Sequence, residues 1–331
     1  MIPNIQIEKA AQIIRDGGLV AFPTETVYGL GANALDAKAV ARIFLEKERP
    51  SFDPLIVHIS DLSYLDLLTL NNDNRVMLLA QKFWPGPLTI VLPKSEKVPD
   101  IVTSGLPTVG IRMPDNLMAL DLIRVSGTPI AAPSANKFGR ISPTTAQHVS
   151  KQLKGVDMIL DGGKCTVGIE STVIALNPDG FTILREGIIT ADELMSVLPQ
   201  STEGTKDPVA SPGLLKSHYS PEKPIFLAKS PSLSDIQSLV DELKPKGSIA
   251  FVSFSGVTPK DIGKTLYLSK KGEIKEAAVN LFSILHILEE DIQTDFIIAE
   301  PIPGQGIAKA IMDKLHKASY RYKKPESNEK D

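Results

Sequence analysis

The chain has 331 residues, of which 42% are hydrophobic and 23% charged, and its formal net charge is −3. This composition is typical of a globular protein rather than a disordered or fibrous one, and the length predicts two domains. Basic and acidic residues are balanced in both halves, which argues against a basic module that binds nucleic acid regardless of sequence. The single cysteine, Cys165, excludes an internal disulfide and a multi-cysteine zinc site.

The N-terminus lacks the basic start and apolar stretch of a signal peptide. No apolar run approaches the roughly 20 residues that span a bilayer. We therefore expect a cytoplasmic protein without membrane association. Cys165 lies in a polar Gly-Gly-Lys-Cys-Thr segment with no base beside it in sequence. It is interpreted as a tolerated loop residue rather than a nucleophile.

The first domain is predicted over residues 1–198. Apolar residues from Ile7 to Ile14 recur at helical spacing before Gly17-Gly18, and Asp36 can cap a second helix. Other helices are predicted near 76–83, 115–125, 144–153 and 191–198, and strands at 19–22, 55–59, 88–92, 108–113, 129–132, 157–160, 171–176 and 182–184. This mixture, without strict alternation, favours an open, twisted, mixed α/β sheet covered by helices.

Residues 199–223 lose this periodicity and are predicted to form a long linker. A smaller Rossmann-like α/β domain is predicted over 224–322, because strands and helices alternate there regularly. Its predicted strands are 225–228, 248–254, 265–268 and 296–300, and its helices 233–243, 274–288 and 307–317. The charged tail, 323–331, is expected to be disordered.

The segment from Phe22 to Ala34 contains two threonines, a tyrosine and two glycines, Gly29 and Gly31, where the backbone can approach another group closely. It matches neither the dinucleotide-binding glycine pattern nor a phosphate-binding P-loop. An ordinary strand-to-helix loop is an equally good interpretation of this segment alone.

Basic residues lie where predicted elements end. Lys47 and Arg49 close a helix, so they could merely offset its dipole, and both can reach one anion only if the helix ends between them. Arg112 interrupts an apolar strand and must be paired or bind an anion. With Arg185, these cations match a triphosphate better than a neutral ligand. No residue looks like a covalent nucleophile, which favours chemistry by positioning and charge neutralisation, as in phosphoryl or adenylyl transfer.

Several stretches together resemble the YrdC-like threonylcarbamoyl-AMP synthases, in their longer two-domain form. The matching stretches are FPTETVYGLG (22–31), KERP (47–50), PLIVHI (54–59), WPGPLT (84–89), RMP (112–114), APSAN (132–136), ESTV (170–173), LREG (184–187) and SPGLLKSHYSP (211–221). Position 53 is Asp, where the family often has Asn.

The resemblance implies that L-threonine, bicarbonate or CO₂, and ATP give threonylcarbamoyl-AMP and pyrophosphate. It further implies Mg²⁺ carried by the ATP phosphates with no metal site of the protein's own, transfer of the product to the machinery that modifies tRNA, and at most a weak contact with tRNA itself.

The resemblance also implies the site residues. Threonine is expected to contact Thr26, His58, Arg112, Ala132 and Ser171, so His58, which alone would more often be a core histidine, becomes a ligand contact. ATP is expected to contact Lys47, Arg49, Asp53, Thr108, Ser134, Asn136, Ser142, Arg185 and Tyr219, with Lys47 and Arg49 as catalytic residues. Residues 211–221 could form a lid that excludes water, with Tyr219 a better candidate for contact than Leu215.

Two other functions fit the sequence less well. The carbamoyltransferase of hydrogenase maturation shares the first domain but carries paired-cysteine zinc fingers, which a single cysteine excludes. An RNA-binding module without adenylyltransferase activity is disfavoured by the net negative charge and the lack of a basic stripe.

Overall fold

A computed structural model of the chain describes residues 5–70, 73–202 and 217–322. The described residues form two compact units. One comprises residues up to 138 together with 142–202, and the other comprises 139–141 together with 217–322. The predicted tail, most of the predicted linker and residues 211–216 of the predicted lid lie outside the described ranges. Within those ranges, no helix combines the length and apolar character needed to cross a membrane.

The first unit contains nine strands and eight helices among its described residues. The helices are α1 Ile5–Arg15, α2 Ala37–Lys47, α3 Tyr64–Leu68, α4 Arg75–Phe83, α5 Asp100–Thr103, α6 Leu117–Ser126, α7 Ala146–Gln152 and α8 Ala191–Met195. The strands are β1 Val20–Phe22, β2 Gly29–Asn33, β3 Ile56–His58, β4 Leu88–Pro93, β5 Thr108–Arg112, β6 Ile130–Ala131, β7 Met158–Ile159, β8 Thr172–Asn177 and β9 Gly180–Arg185.

The nine strands form one sheet in the order β7-β1-β2-β6-β3-β5-β4-β8-β9. The pairs β1–β7, β3–β5 and β4–β8 are parallel. The pairs β1–β2, β2–β6, β3–β6, β4–β5 and β8–β9 are antiparallel. The prediction of an open mixed sheet is therefore confirmed.

The two faces of this sheet are buried differently. Val57 and Ile111 belong to the larger apolar core, which also contains residues of α2 and α4. Phe22 and Ile130 belong to a smaller core with α1 and α6. Side chains alternate along a strand, so His58 and Arg112, which follow Val57 and Ile111, face the opposite side of the sheet from the larger core. They lie outside the area of that side that α1 and α6 cover. That arrangement places polar residues on a buried sheet face.

Strand β2 was not predicted, because the pattern of residues 22–34 is equally compatible with a strand-to-helix loop. The strand exists because it pairs on both sides, with β1 and with β6. A Cβ atom added to Gly31 would lie 2.7 Å from side-chain atoms of both Phe22 and Ile130. The close approach that Gly31 was predicted to allow is therefore packing between neighbouring strands.

Caps explain where two helices begin and end. The Asp36 carboxylate accepts hydrogen bonds from Lys38 N and Ala39 N, as predicted, and α2 ends at Lys47 because Glu48 adopts the left-handed conformation with φ 55°. Asn116 caps α6 in the same way, so that helix starts at Leu117 rather than at the predicted residue 115.

The second unit contains a parallel four-stranded sheet. Its strands are β10 Ile225–Leu227, β11 Ile249–Ser253, β12 Lys264–Tyr267 and β13 Phe296–Ala299, in the order β10-β13-β11-β12, and its helices are α9 Leu233–Leu243, α10 Ile274–Glu290 and α11 Ile307–Tyr320, with a 3-10 turn at Lys244–Lys246. The predicted Rossmann-like α/β unit is confirmed. Tyr219 is buried within this unit, where its ring packs 5.3 Å from that of Phe282.

Candidate active site

A buried polar cluster is centred on Arg112, the last residue of β5. Its Nη1 donates to Thr26 Oγ1 at 3.0 Å, and its Nη2 forms an ion pair with Glu25 Oε1 at 2.5 Å. Both charged side chains are only 5% exposed. Arg112 was predicted to be paired or to bind an anion because it interrupts an apolar strand, and in the structure its partner is Glu25.

The segment between β1 and β2 delivers Thr26 to this cluster. Thr24 Oγ1 donates to Val27 O at 2.6 Å and accepts from the backbone of Thr26 and Val27. Val167 N donates to Glu25 O at 2.7 Å. Between β1 and β2, hydrogen bonds between a hydroxyl group and the backbone thus take the place of the hydrogen bonds between strands.

His58, the last residue of β3, is in register with Arg112 on the adjacent parallel strand. The ring is 4% exposed and meets Phe22 edge to face, with the centroids 5.9 Å apart. Burial, together with the charge of Arg112, lowers the pKa of His58 to about 3. The imidazole is therefore neutral near pH 7, and its Nδ1 has no hydrogen-bond partner within the described residues.

Ser171 and Arg185 meet at the start of β8 and the end of β9. Arg185 Nη2 donates to Ser171 Oγ at 2.9 Å, and Thr89 Oγ1 lies 2.8 Å from the same hydroxyl. A Cβ atom on Gly187 would lie 2.3 Å from Thr172 N. Only glycine therefore allows the chain after β9 to pass so close to the start of β8.

Lys47 is fully buried at the end of α2, and its Nζ donates to the backbone oxygens of Ser134 (2.6 Å) and Asn136. Burial, reinforced by the charge of Arg49, lowers the pKa of Lys47 well below its ordinary value. Because α2 ends at Lys47, the predicted condition for both cations to reach one anion is met.

Arg49 is held by the segment that enters β3. Its Nη2 lies 2.9 Å from Asp53 Oδ2 and donates to Pro54 O at 2.9 Å. Both side chains of the ion pair are almost completely buried. Asp53 thus balances one cation of the site, a role for which the residue type at this position gave no prediction.

The remaining predicted residues are held by contacts of their own. Ser142 Oγ donates to Glu170 Oε1 at 2.6 Å. Thr108 lines a depression on the sheet face with Thr89, Gly110 and Ile56, on the same strand and face as Arg112. Ala132 N donates to Ile56 O at 2.9 Å. Tyr219 is the one predicted contact that belongs to the second unit.

Glu25, Glu170 and Thr89 were not among the predicted residues of the site. All three are buried. Glu25 and Glu170 each lie next to a predicted site residue within one of the matching stretches, and Thr89 is the last residue of the stretch 84–89. A charged or polar residue so close to a predicted contact was the available signal. Cys165, expected on a polar loop, is instead buried, and burial together with the carboxylate of Glu25 raises its pKa to about 12, which makes the thiol unreactive.

Comparison with known proteins places this geometry in a family. The Sua5/YciO/YrdC family model, described as "Telomere recombination", matches residues 12–187, and the model for the C-terminal domain of threonylcarbamoyl-AMP synthase matches residues 189–319. The chain is 42% identical to the threonylcarbamoyl-AMP synthase of Pyrococcus abyssi, over 96% of the chain and 95% of the relative. It is also 42% identical to the synthase of the same name from Bacillus subtilis, over 95% of the chain and 93% of the relative.

A crystal structure of the Pyrococcus abyssi Sua5 protein complexed with L-threonine superposes with a TM-score of 0.86 at 41% identity, and covers 95% of this chain and 94% of that one. Both units of the chain and nearly its whole length are thus accounted for by one family. The chain belongs to the YrdC-like threonylcarbamoyl-AMP synthase family, in the form that carries the Sua5 C-terminal domain.

Proposed function

We propose that this chain synthesises L-threonylcarbamoyl-AMP from L-threonine, bicarbonate or CO₂, and ATP, and releases pyrophosphate. The observation that carries the proposal is the match over nearly the whole chain to relatives named threonylcarbamoyl-AMP synthase. The product would serve the first step of N6-threonylcarbamoyladenosine formation in tRNA. The RNA-binding alternative finds no support in these matches.

The amino acid would bind at the Arg112 cluster. Arg112 supplies a buried guanidinium for the threonine carboxylate, a group that it can bind with two hydrogen bonds. Thr26 accepts a hydrogen bond from Arg112, and His58 is in register with Arg112 on the adjacent strand. Ser171 and the backbone at Ala132, both buried, are the other expected contacts. Because His58 is uncharged, it can exchange hydrogen bonds with a ligand without repelling its ammonium group.

The nucleotide would bind where Lys47 and Arg49 leave α2. Three buried cations, Lys47, Arg49 and Arg185, would neutralise the triphosphate as pyrophosphate departs, a form of catalysis by positioning and charge. The predicted contacts are Lys47, Arg49, Asp53, Thr108, Ser134, Asn136, Ser142, Arg185 and Tyr219. A phosphate beside Lys47 would favour its ammonium form and so reverse the effect of burial on its pKa.

The chemistry requires no enzyme nucleophile. The threonine ammonium group releases a proton to solvent, and the lone pair of the amine forms a bond to the carbon of CO₂. A second proton then leaves the nitrogen for solvent, which gives a carbamate. A carbamate oxygen then attacks the α-phosphorus of ATP as the bond to pyrophosphate breaks. The chain would hold both substrates in place and exclude water, to which carbamates and acyl adenylates are sensitive.

Mg²⁺ is part of the same proposal. Within the described ranges no three His, Cys, Asp or Glu side chains are placed to hold a metal ion. Glu170 Oε2 is buried there without a hydrogen-bond partner, next to a predicted ATP contact. One carboxylate together with phosphate oxygens suits Mg²⁺ that arrives with ATP rather than a resident metal. Mg²⁺ would supply further neutralisation of the triphosphate.

Three further expectations belong to this proposal: a cytoplasmic location, transfer of the product to the tRNA-modifying machinery, and at most weak contact with tRNA. The reaction itself is tested by pyrophosphate release from ATP, measured with and without L-threonine and bicarbonate. We expect release to require all three substrates. Threonine-independent release, or no release, would refute the assignment.

Arg49→Lys tests the nucleotide site. Lysine keeps the positive charge near Asp53, so the fold should persist. It cannot reproduce the planar contacts of Arg49 to Asp53 and Pro54, so kcat should fall on the order of 10²-fold. Arg42→Lys is the matched control, because Arg42 forms an exposed ion pair with Asp157. An unchanged kcat for Arg49→Lys, with the Arg42→Lys control also active, would remove Arg49 from the catalytic site.

A further inference from the structure

Glu25 is a buried carboxylate that the reaction, as proposed above, leaves without a role. Its side chain is 5% exposed. Oε1 pairs with Arg112 Nη2 at 2.5 Å, whereas Oε2 is buried and has no hydrogen-bond partner within the described ranges. A bare carboxylate oxygen inside a protein is costly, so its presence requires an explanation.

Structural support of the loop does not explain it. The backbone at Glu25 is already fixed, because its carbonyl accepts from Val167 N at 2.7 Å. Arg112 is also held by Thr26 Oγ1 at 3.0 Å through a different nitrogen. A buried ion pair contributes little net stability once the cost of desolvation is counted. The carboxylate is therefore better explained by a ligand than by the fold.

The pair presents opposite charges side by side in a buried site. A free α-amino acid carries the complementary pattern, since its carboxylate and its ammonium group are attached to one carbon. If Arg112 binds the carboxylate, the ammonium group must lie close by. Glu25 Oε2 is then a charged acceptor within the same cluster.

We propose that Glu25 binds the α-ammonium group of the amino-acid substrate, so that Arg112 and Glu25 together recognise its zwitterionic head. Without substrate the two side chains neutralise each other. With substrate each faces the opposite charge of the ligand, and the net charge of the buried site does not change. The inference rests on the proposed threonine site at Arg112 and concerns binding, not proton transfer.

The test compares two ligands that differ only at the amine. L-threonine and 2,3-dihydroxybutanoate of matching stereochemistry, in which a hydroxyl replaces the amine, are titrated calorimetrically into the full chain and into its Glu25→Gln variant. A hydrogen bond between charged groups is worth about 1.5–3 kcal/mol, or roughly 10- to 150-fold in affinity. We expect Glu25→Gln to weaken threonine binding by at least about tenfold, while binding of the hydroxy acid stays close to that of the unaltered chain.

Other outcomes overturn the inference. Equal losses for both ligands would mean that Glu25 only positions Arg112, and unchanged threonine affinity would mean that it makes no contact. ATP binding by Glu25→Gln verifies its fold. If that variant does not fold, the unaltered chain decides, because equal affinity for the two ligands rules out an amine contact. Failure of the unaltered chain to bind threonine at all would instead refute the proposed threonine site.

Discussion

His58 combines a titratable ring with a location that water does not reach. It lies between Phe22 on one side and the charge of Arg112 on the other. An exposed histidine has a pKa near 6.5, whereas that of His58 is lowered to about 3. Between these two values the unfolded chain binds a proton that the folded chain does not. The free energy of unfolding therefore rises with pH across this window, and the contribution of His58 is complete above about pH 6.5.

We expect the His58 contribution to be lost at about 1.4 kcal/mol per unit as pH falls below about 6.5. His58→Gln should show a shallower decline than the unaltered chain when unfolding free energies in urea are compared at pH 7, 6 and 5. Parallel pH profiles for His58→Gln and the unaltered chain would contradict the burial of a neutral ring.

The sequence could predict at the residue scale that Arg112 needs a partner, but not which one. Glu25 is separated from Arg112 by 87 positions, and only the order of the strands brings them together. The partner of Asp53 could not be predicted either, although Arg49 is only four residues away. Its pairing with Arg49 depends on the left-handed turn at Glu48, which no simple propensity predicts.

At the scale of elements, strand β2 shows why local pattern failed. Its residues, Gly-Leu-Gly-Ala-Asn, have low strand propensity. Pairing on both edges and the close fit of the two glycines override that preference. For α2, by contrast, the apolar period and the capping side chain of Asp36 predicted the start of the helix correctly.

Alanine substitutions in β2 should follow the available space. A Cβ atom at Gly31 would meet two side-chain atoms at 2.7 Å, whereas at Gly29 the nearest atoms are 3.3 Å away. We expect Gly31→Ala to destabilise the chain by about 1–3 kcal/mol and Gly29→Ala by less. Because one of the atoms displaced at Gly31 belongs to Phe22, which packs on His58, threonine affinity should fall as well.

Urea unfolding and threonine titration of both variants test this order. The two glycines share one strand and one partner ring, so each serves as the control for the other. Equal stability of the two variants would indicate that β2 can move away from its neighbours and that strand packing does not require Gly31.

At the scale of the whole molecule, the sequence predicted two α/β units of different kinds. The second was the easier, because a parallel sheet with regular alternation leaves its period in the sequence. The order of the nine strands in the first unit was not predictable, since neighbours such as β4 and β8 are far apart in the chain. That order is what assembles the candidate site, so the motifs could name its residues but not their contacts.

All proposed substrate contacts except Tyr219 belong to the first unit, which has its own apolar cores. A chain truncated after Thr202 should therefore fold and bind threonine much as the full chain does, while its ATP binding should lose only the contact with Tyr219. It would lack the predicted lid, residues 211–221. Because carbamates lose CO₂ and acyl adenylates hydrolyse in water, the truncated enzyme should yield less intact product for each pyrophosphate released.

Reactions are filtered rapidly without acid, and the intact product is measured by chromatography. A pyrophosphate assay of the same reactions then gives the ratio of product to pyrophosphate. Threonine and ATP titrations of the truncated chain show separately whether its site is intact. A normal ratio of product to pyrophosphate in a truncated chain that binds both substrates would contradict the lid. A lower ratio with unchanged threonine affinity would instead mean that residues beyond 202 exclude water, because loss of the substrate site would have weakened threonine binding as well.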